Sequence, residues 1–428
     1  MAKYQKYAEY KDSGVKWLGL IPKHWSSYLF KRVVSDIKDG THGTHARVEN
    51  GELLLSAKNV FNSGLEIGEN ESYIPIKDYK EITSNGFPQK GDILVTCVGT
   101  IGRSFVYPFD KSLAFQRSVS FIRLNKKGNA QFYKYFIESK AYQSQLESLV
   151  KSSAQGGIYM GDLINTVVIN CPLDEQVNIA NFLDHETAKI DTLIAKQEKL
   201  IELLKEKRQA VISHAVTNGL NPDVTMKDSG VEWLGQVPEH WVIGRLKNVL
   251  SIKNGRDYKT VEVEIGGYPV YGSGGIFKRS SAYLYDGVSI LFGRKGTVDK
   301  PLLVEGRFWT VDTMFYSELD AGTDPEYIYF QSLGFPFDML STNTALPSMT
   351  QEDLLNLGFV IPPYNEQKAI SEYIQDYLKK SNSLMKKAES AIQLMQERRT
   401  ALISSAVTGK IDVRNWQHPN EAKTELSL

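Results

Sequence analysis

The sequence predicts an α+β protein in which two strand-rich bodies are joined by two long helices, paired antiparallel as a coiled coil, in a pseudo-twofold internal repeat. Three observations predict it. The stretch KDSGVKWLGLIPKHW (residues 11–25) recurs as KDSGVEWLGQVPEHW (residues 227–241). Each copy later runs through about forty residues without Gly or Pro. Between these landmarks lie short apolar runs bounded by Gly, Asn and Asp, the pattern of strands and turns.

The repeat is longer than fifteen residues. FKRVVSDIKDG (Phe30 to Gly40) aligns with LKNVLSIKNG (Leu246 to Gly255) after one deletion, INCPLDEQVNIANFL (Ile169 to Leu183) with VIPPYNEQKAISEYI (Val360 to Ile374), and KRQAVISHAVT (Lys207 to Thr217) with RRTALISSAVT (Arg398 to Thr408). The offset falls from 216 to 191, so the first body is 25 residues the longer. A period this long reads as paired domains rather than a solenoid. The expected segments are a first body over 1–173, a helix over 174–218, a second body over 219–364, a helix over 365–412 and a tail over 413–428.

For the helices, Asp174 and Asn365 are expected N-caps after Pro-containing loops, with Glu175 and Glu366 in the first turn where the helix dipole favours acid. Apolar residues then recur at spacings of three and four: Ile190, Leu193, Leu200, Leu204 and Val211 in the first helix, Leu384, Ala388, Ala391, Met395 and Leu402 in the second. That spacing is a coiled-coil seam. Gly219 and Gly409 stand where each helix should stop.

In the bodies, runs such as GDILVTCVG, SVSFIRL and GVSILFG read as strands, QFYKYFIESKAYQSQLESLV as helical, and Thr350 with Asp353 as a capping box. Six loops mix small residues with hydrogen-bonding and basic ones: DGTHGTH, GTIGRS, QRS, NGRDY, YGSGG and GRKGT. Glycine lets backbone approach a surface, and Arg, Lys, Asn, Gln, Ser and Thr read base edges or grip phosphates. The expected contacts are Thr41, His42, Thr44, Lys58, Asn59, Arg103 and Arg117 in the first body, and Arg256, Tyr258, Ser273, Arg294 and Lys295 in the second. Any one such loop is more often a solvated turn; the set, on two duplicated bodies, is a groove-reading surface.

Composition limits the alternatives. The 50 basic and 50 acidic residues cancel, so nucleic acid would not be held by counterion release alone and a partner must supply phosphate contacts. The two cysteines, Cys97 and Cys171, have no metal-ligand spacing and fit a reduced, cytoplasmic chain. No stretch approaches the roughly 20 apolar residues that span a bilayer. Catalytic residues are expected to be absent. Ile361-Pro362-Pro363-Tyr364 lacks the residue an amino-methyltransferase places before Pro-Pro-Tyr; the carboxylates Asp223 and Asp257 do not recur in the first copy; His42 and His45 lack a completing metal ligand.

The duplicated KDSGV-x-WLG…P-x-HW stretches, DIKDGTHGT, Gln155-Gly156-Gly157-Ile158-Tyr159 before Asp162-Leu163, and the paired P-x-x-EQ helices closely resemble the specificity subunit of Type I restriction-modification systems, over nearly the whole chain to about Val413. The resemblance implies two target-recognition domains, each reading half of a bipartite target in double-stranded DNA, with the helices setting the gap. It implies two modification subunits that methylate adenine, and restriction subunits, as partners. S-adenosylmethionine, ATP and Mg2+ then belong to those partners, and no cofactor or metal is expected on this chain. Rival expectations are an S-like subunit of a fused restriction-methylation enzyme or one used to swap specificity, a stand-alone DNA enzyme, and a coiled-coil scaffold with no DNA role.

Overall fold

The computed structural model describes residues 4–150, 156–342 and 347–419; Gln155 lies outside them. The chain divides into two compact units, residues 1–197 with 390–428, and residues 198–389. Each long helix is therefore shared between units rather than standing as a segment of its own.

Both units are built on the same four-stranded antiparallel sheet. In the first unit, strands β1 (Ser26–Leu29), β2 (Val34–Asp39), β3 (Ile93–Thr96), β4 (Ser104–Val106), β5 (Val119–Leu124) and β6 (Val167–Asn170) are followed in the second by β7 (Val242–Arg245), β8 (Leu250–Asn254), β9 (Ser289–Gly293), β10 (Leu302–Val304), β11 (Met314–Leu319) and β12 (Gly358–Ile361). The sheet orders are β2-β5-β3-β4 and β8-β11-β9-β10, and β1 pairs with β6 as β7 pairs with β12. The central strands β3 and β9 are buried at every residue, so they read as continuous apolar runs rather than alternating ones. A second sheet in each unit carries one parallel pairing, Ala114–Phe115 on Leu54–Leu55 and Val270–Tyr271 on Trp309–Thr310.

The run expected as one helix is two, α1 (Ala130–Glu138) and α2 (Lys140–Leu149), because Ser139 is extended and its hydroxyl caps the second by accepting from Tyr142 N. The long helices are α3 (Leu173–Asn218) and α6 (Tyr364–Val407), with α4 (Pro325–Ser332) and α5 (Gln351–Asn356) between them. Thr350 caps α5 as the spacing predicts, accepting from Asp353 N at 3.1 Å. Asp174 and Asn365 are not N-caps but lie inside the first turn, since each helix begins one residue earlier and its first amide bonds close on Pro172 and Pro363 carbonyls. The second helix stops at Val407, short of residue 412, where Gly409 takes φ +73°.

The repeated motifs meet at one joint per unit. Trp25, fully buried, donates its indole N–H to Glu175 Oε2 (2.9 Å), and His24 Nε2 lies 2.6 Å from Oε1; Trp241 and His240 repeat both bonds on Glu366 at 2.8 and 2.7 Å. The adjacent glutamine does a second task. Gln176 accepts from Asn129 N (2.8 Å) and donates to the Cys171 carbonyl, while Gln367 accepts from Asp324 N (2.9 Å) and donates to that of Pro362. Asn129 and Asp324 are the N-caps of α1 and α4. The EQ dipeptide thus ties the P-x-HW turn and one body helix, α1 or α4, to the long helix.

In both units the start of one long helix shares a core with the end of the other: Ile179, Leu183 and Ile190 with Leu402, Ile403 and Ala406, and Ile370 and Ile374 with Ile212 and Ala215. The two helices therefore run antiparallel. Of the expected seam, Ile190, Ala388 and Leu402 are buried and Leu204, Val211, Ala391 and Met395 half-buried, but Leu193, Leu200 and Leu384 are exposed (49, 42 and 51 %). Ile194, Ile201 and Met385, the next residues along, are half-buried instead. The buried row runs Ile190, Ile194, Gln197, Ile201, Leu204, Arg208 on α3 and Ser381, Met385, Ala388, Ile392, Met395, Arg399 on α6, a strict alternation of four and three.

Candidate nucleic-acid interface

In each sheet the C-terminal ends of two strands and the N-terminal end of their neighbour come to one edge: β2, β3 and β5 in the first unit, β8, β9 and β11 in the second. The glycine-rich loops leave from that edge. In the first unit, Gly40 N donates to Val119 O (3.0 Å), Thr41 N to Phe115 O (2.7 Å), and Arg117 N returns to Thr41 O (3.0 Å). Any Cβ on Gly40 would sit 2.3 Å from the Gln116 carbonyl, so this crossing requires glycine. Gly255 is held identically, with N to Met314 O at 2.9 Å, Arg256 N to Thr310 O at 2.9 Å, and 2.0 Å from a hypothetical Cβ to Val311 O.

The expected residues of the first unit divide into exposed and committed groups. His42, Thr44 and Arg117 are exposed, and Arg117 has no side-chain hydrogen bond or ion pair among the described residues. Thr41 is a brace: His45 Nδ1 lies 3.0 Å from Asp78, which leaves Nε2 to accept the Thr41 hydroxyl at 2.9 Å, and Thr41 Oγ1 takes Gly43 N at 3.1 Å. Arg103 holds its guanidinium carbon over the Phe61 ring, 4.4 Å from the centroid, and donates to the Val60 carbonyl at 3.5 Å. Lys58 pairs with Glu71 at 2.8 Å, a bond that holds this carboxyl below the usual range.

Asn59 is a correction. It is 2 % exposed, its Nδ2 donates to Glu66 O and Glu71 Oε1, and its Oδ1 accepts from Ser56 N. Those bonds complete the 3-10 turn of residues 57–59 and leave nothing to offer a ligand.

In the second unit Arg256 and Lys295 are exposed and Arg294 half-buried, its Nη1 donating to Asp312 O at 3.3 Å. Tyr258 stands edge-on to Phe277, 5.3 Å between centroids. Ser273 turns the hairpin between Tyr268–Gly272 and Gly275–Ser280, and beyond it Ile276 and Phe277 are about half exposed. Sequence reasoning passes over those two because IF inside a strand run looks like core. The Thr41 and Arg117 loops meet each other; in the second unit the Thr310–Met314 turn is joined by the Arg256 loop through Arg256 N to Thr310 O (2.9 Å), by Tyr271 through Val311 N to Tyr271 O (3.1 Å) and by the Arg294 loop through Arg294 N to Thr313 O (2.8 Å).

Among the described residues no group of three His, Cys, Asp or Glu could hold a metal ion. Burial pushes the Cys97 thiol up to about 12, and Cys171 is raised in the same way, so neither is a reactive thiolate. No described helix is long and apolar enough to cross a membrane.

A loop edge whose side chains differ between the copies, on a frame and a joint that repeat, defines a protein of two duplicated units. Comparison with known proteins places it: residues 55–203 and 238–394 match the family described as the Type I restriction modification DNA specificity domain, and the chain belongs to that family. It is 24 % identical to the Type I restriction enzyme MjaVIII specificity subunit of Methanocaldococcus jannaschii over 70 % of this chain and 75 % of that one. It is 20 % identical to the putative MjaX specificity subunit of the same organism, over 95 and 98 %, and 22 % to the EcoDI specificity subunit of Escherichia coli, over 76 and 83 %. The HsdS subunit from Thermoanaerobacter tengcongensis has the same fold, with TM-score 0.53 at 13 % identity over 91 % of this chain and 98 % of that one. A chain solved in work on assembly and conformational transition of the type I R-M system superposes at 0.65 and 14 % identity, covering 91 and 99 %. The protein is thus a DNA-specificity subunit of the Type I class, a non-catalytic component whose family carries no cofactor of its own.

Proposed function

We propose that each unit reads one half of a bipartite double-stranded DNA target through the loops at its sheet edge, and that α3 and α6 set the gap between the halves. The observation that carries this reading is the recurrence of one backbone frame, Gly40 and Gly255 included, with different exposed side chains on each copy. His42, Thr44 and Arg117 contact DNA in the first half; Arg256, Tyr258, Ser273, Arg294 and Lys295 do so in the second. Thr41, Lys58 and Arg103 act by holding loop shape. Two modest readers on one frame gain affinity because binding of one raises the effective concentration of the other. With no net charge, the chain relies on partners for most phosphate contacts. Those partners are two modification subunits, which bring S-adenosylmethionine and flip adenine out of the stack, and restriction subunits, which bring ATP and Mg2+; all work in the cytoplasm.

The test is single-molecule methylome sequencing of a host carrying the cognate modification subunit, with and without this chain. A bipartite methyladenine motif that depends on the chain is expected. An unchanged methylome in cells where the two proteins co-purify would reject DNA reading by these loops.

A further inference from the structure

The two sheet edges can be compared position by position, because the hydrogen bonds that fix them are the same. Cys97 N bonds to Ser118 O as Arg294 N bonds to Thr313 O; Ile158 N bonds to Cys97 O as Met349 N bonds to Arg294 O; Val98 bridges to Gly157 as Lys295 bridges to Ser348. By this register Asp39 corresponds to Asn254, Cys97 to Arg294, Val98 to Lys295, Met160 to Gln351 and Ser120 to Phe315.

In the first unit Asp39, Cys97 and Ser120 bond to one another, and the cleft of about 260 Å3 that Asp39 lines opens instead toward Thr41, His42, Asn85 and Phe87, without Cys97 or Met160. The Ser120 hydroxyl donates to the Asp39 carboxylate and lies 3.1 Å from Cys97 Sγ, with Cys97 2 % exposed. In the second unit the same place is an open cleft of about 280 Å3, floored by Phe315 and lined by Asn254, Arg294, Lys295 and Gln351. The side chains of Asn254, Lys295 and Gln351 make no hydrogen bond or ion pair among the described residues; being exposed or half-exposed they bond to water, which a base edge can replace. A protein does not gain stability by gathering two free carboxamides and two cations on an apolar floor. Such a set matches a purine edge, where Arg or Lys donates to guanine O6 and N7 and Asn or Gln bonds bidentately to adenine N6 and N7.

We infer that this cleft reads a purine in the half-site served by the second unit, with Asn254 and Gln351 as specificity determinants beside Arg294, and that the first unit has no equivalent reader. The inference rests on the DNA-reading role proposed above. It is tested by methylome sequencing with Asn254→Ala/Gln351→Ala and with Arg294→Ala, each beside the unaltered chain. Discrimination at one or two adjacent positions of a single half-site should fall by about 5- to 150-fold, the worth of a bidentate base contact, while the other half-site stays intact and so reports that the complex assembles. Should the double variant fail to assemble, Gln351→Ala alone carries the same expectation. Both half-sites unchanged, or a uniform loss of methylation at every site by a variant that still co-purifies with the modification subunit, would overturn the inference, the second outcome marking a phosphate grip only. A missing motif with the unaltered chain would instead reject the proposed function beneath it.

Discussion

The first unit is tied more tightly at its joint than the second, although both use the same residues. Glu175 has a side chain 6 % exposed and takes a third donor, the Tyr7 hydroxyl at 2.9 Å; Glu366 has two donors and is 42 % exposed. The difference comes from the segments packed over the joint. In the first unit residues 5–10 and 409–414 come together there, with Asp412 N bonded to Gln5 O, Tyr10 Oη to Gly409 O, and the Arg414 guanidinium over the Tyr7 ring. The helix pair repeats the contrast. Arg399 meets Asp191 at 2.9 Å and Glu138 at 3.4 Å, and Glu138 also holds Lys134; among the described residues its counterpart Arg208 bonds to Asn382 alone, at 3.4 Å. Duplication preserved the frame and left each copy's polar contacts free to diverge.

The largest expected consequence is at these arginines. Arg399→Ala leaves Glu138, 2 % exposed and already raised above the usual carboxylate range by burial, with Lys134 as its remaining partner, and should destabilise the first unit by about 3 kcal/mol, the low end for a broken buried pair because one cation still faces the carboxylate. Arg208→Ala should cost the second unit less than about 1 kcal/mol. Hydrogen exchange, which resolves each unit's opening, measures both; equal losses would end the contrast.

At the joint, Glu175→Ala orphans a buried indole N–H and a tyrosine hydroxyl, about 2–3 kcal/mol, against about 1 kcal/mol for Glu366→Ala. Urea unfolding followed by probes in each unit compares them.

The smallest effect concerns Asp39, whose carboxyl burial holds above the ordinary aspartate value, where the second unit has Asn254. A raised carboxyl disfavours the folded state once ionised. Its cost is therefore absent below the unfolded value of about 3.9 and fully present above the raised one. Asp39→Asn should raise the melting temperature slightly at neutral pH, and the gain should vanish as pH falls toward about 4. A gain independent of pH would assign the effect to something other than this ionisation.

The repeat, the antiparallel helix pair and the converging loops were legible because they rest on spacing and on residue types that glycine-rich crossings demand. The seam row was not. Leu193 with Ile194, and Leu200 with Ile201, give two adjacent apolar rows that both satisfy the three-four rhythm, and only packing chooses between them. Asn59 misled for a related reason: a carboxamide suited to reading a base is equally suited to closing a turn. Asn254 opens the NGRDY loop that composition singles out, but Gln351 carries no local signal. They stand about a hundred residues apart in sequence and become neighbours only through the strand register.

The division of the chain also sets an order of manufacture. The second unit is one continuous segment, residues 198–389, whereas the first needs residues 390 onward: Leu402, Ala406, Val407 and Val413 belong to its core. At about 5–20 residues per second, the ribosome takes roughly 10–50 s to add the remainder of the chain after residue 197. The body translated first must therefore wait, its core unsealed, while the body translated second is finished.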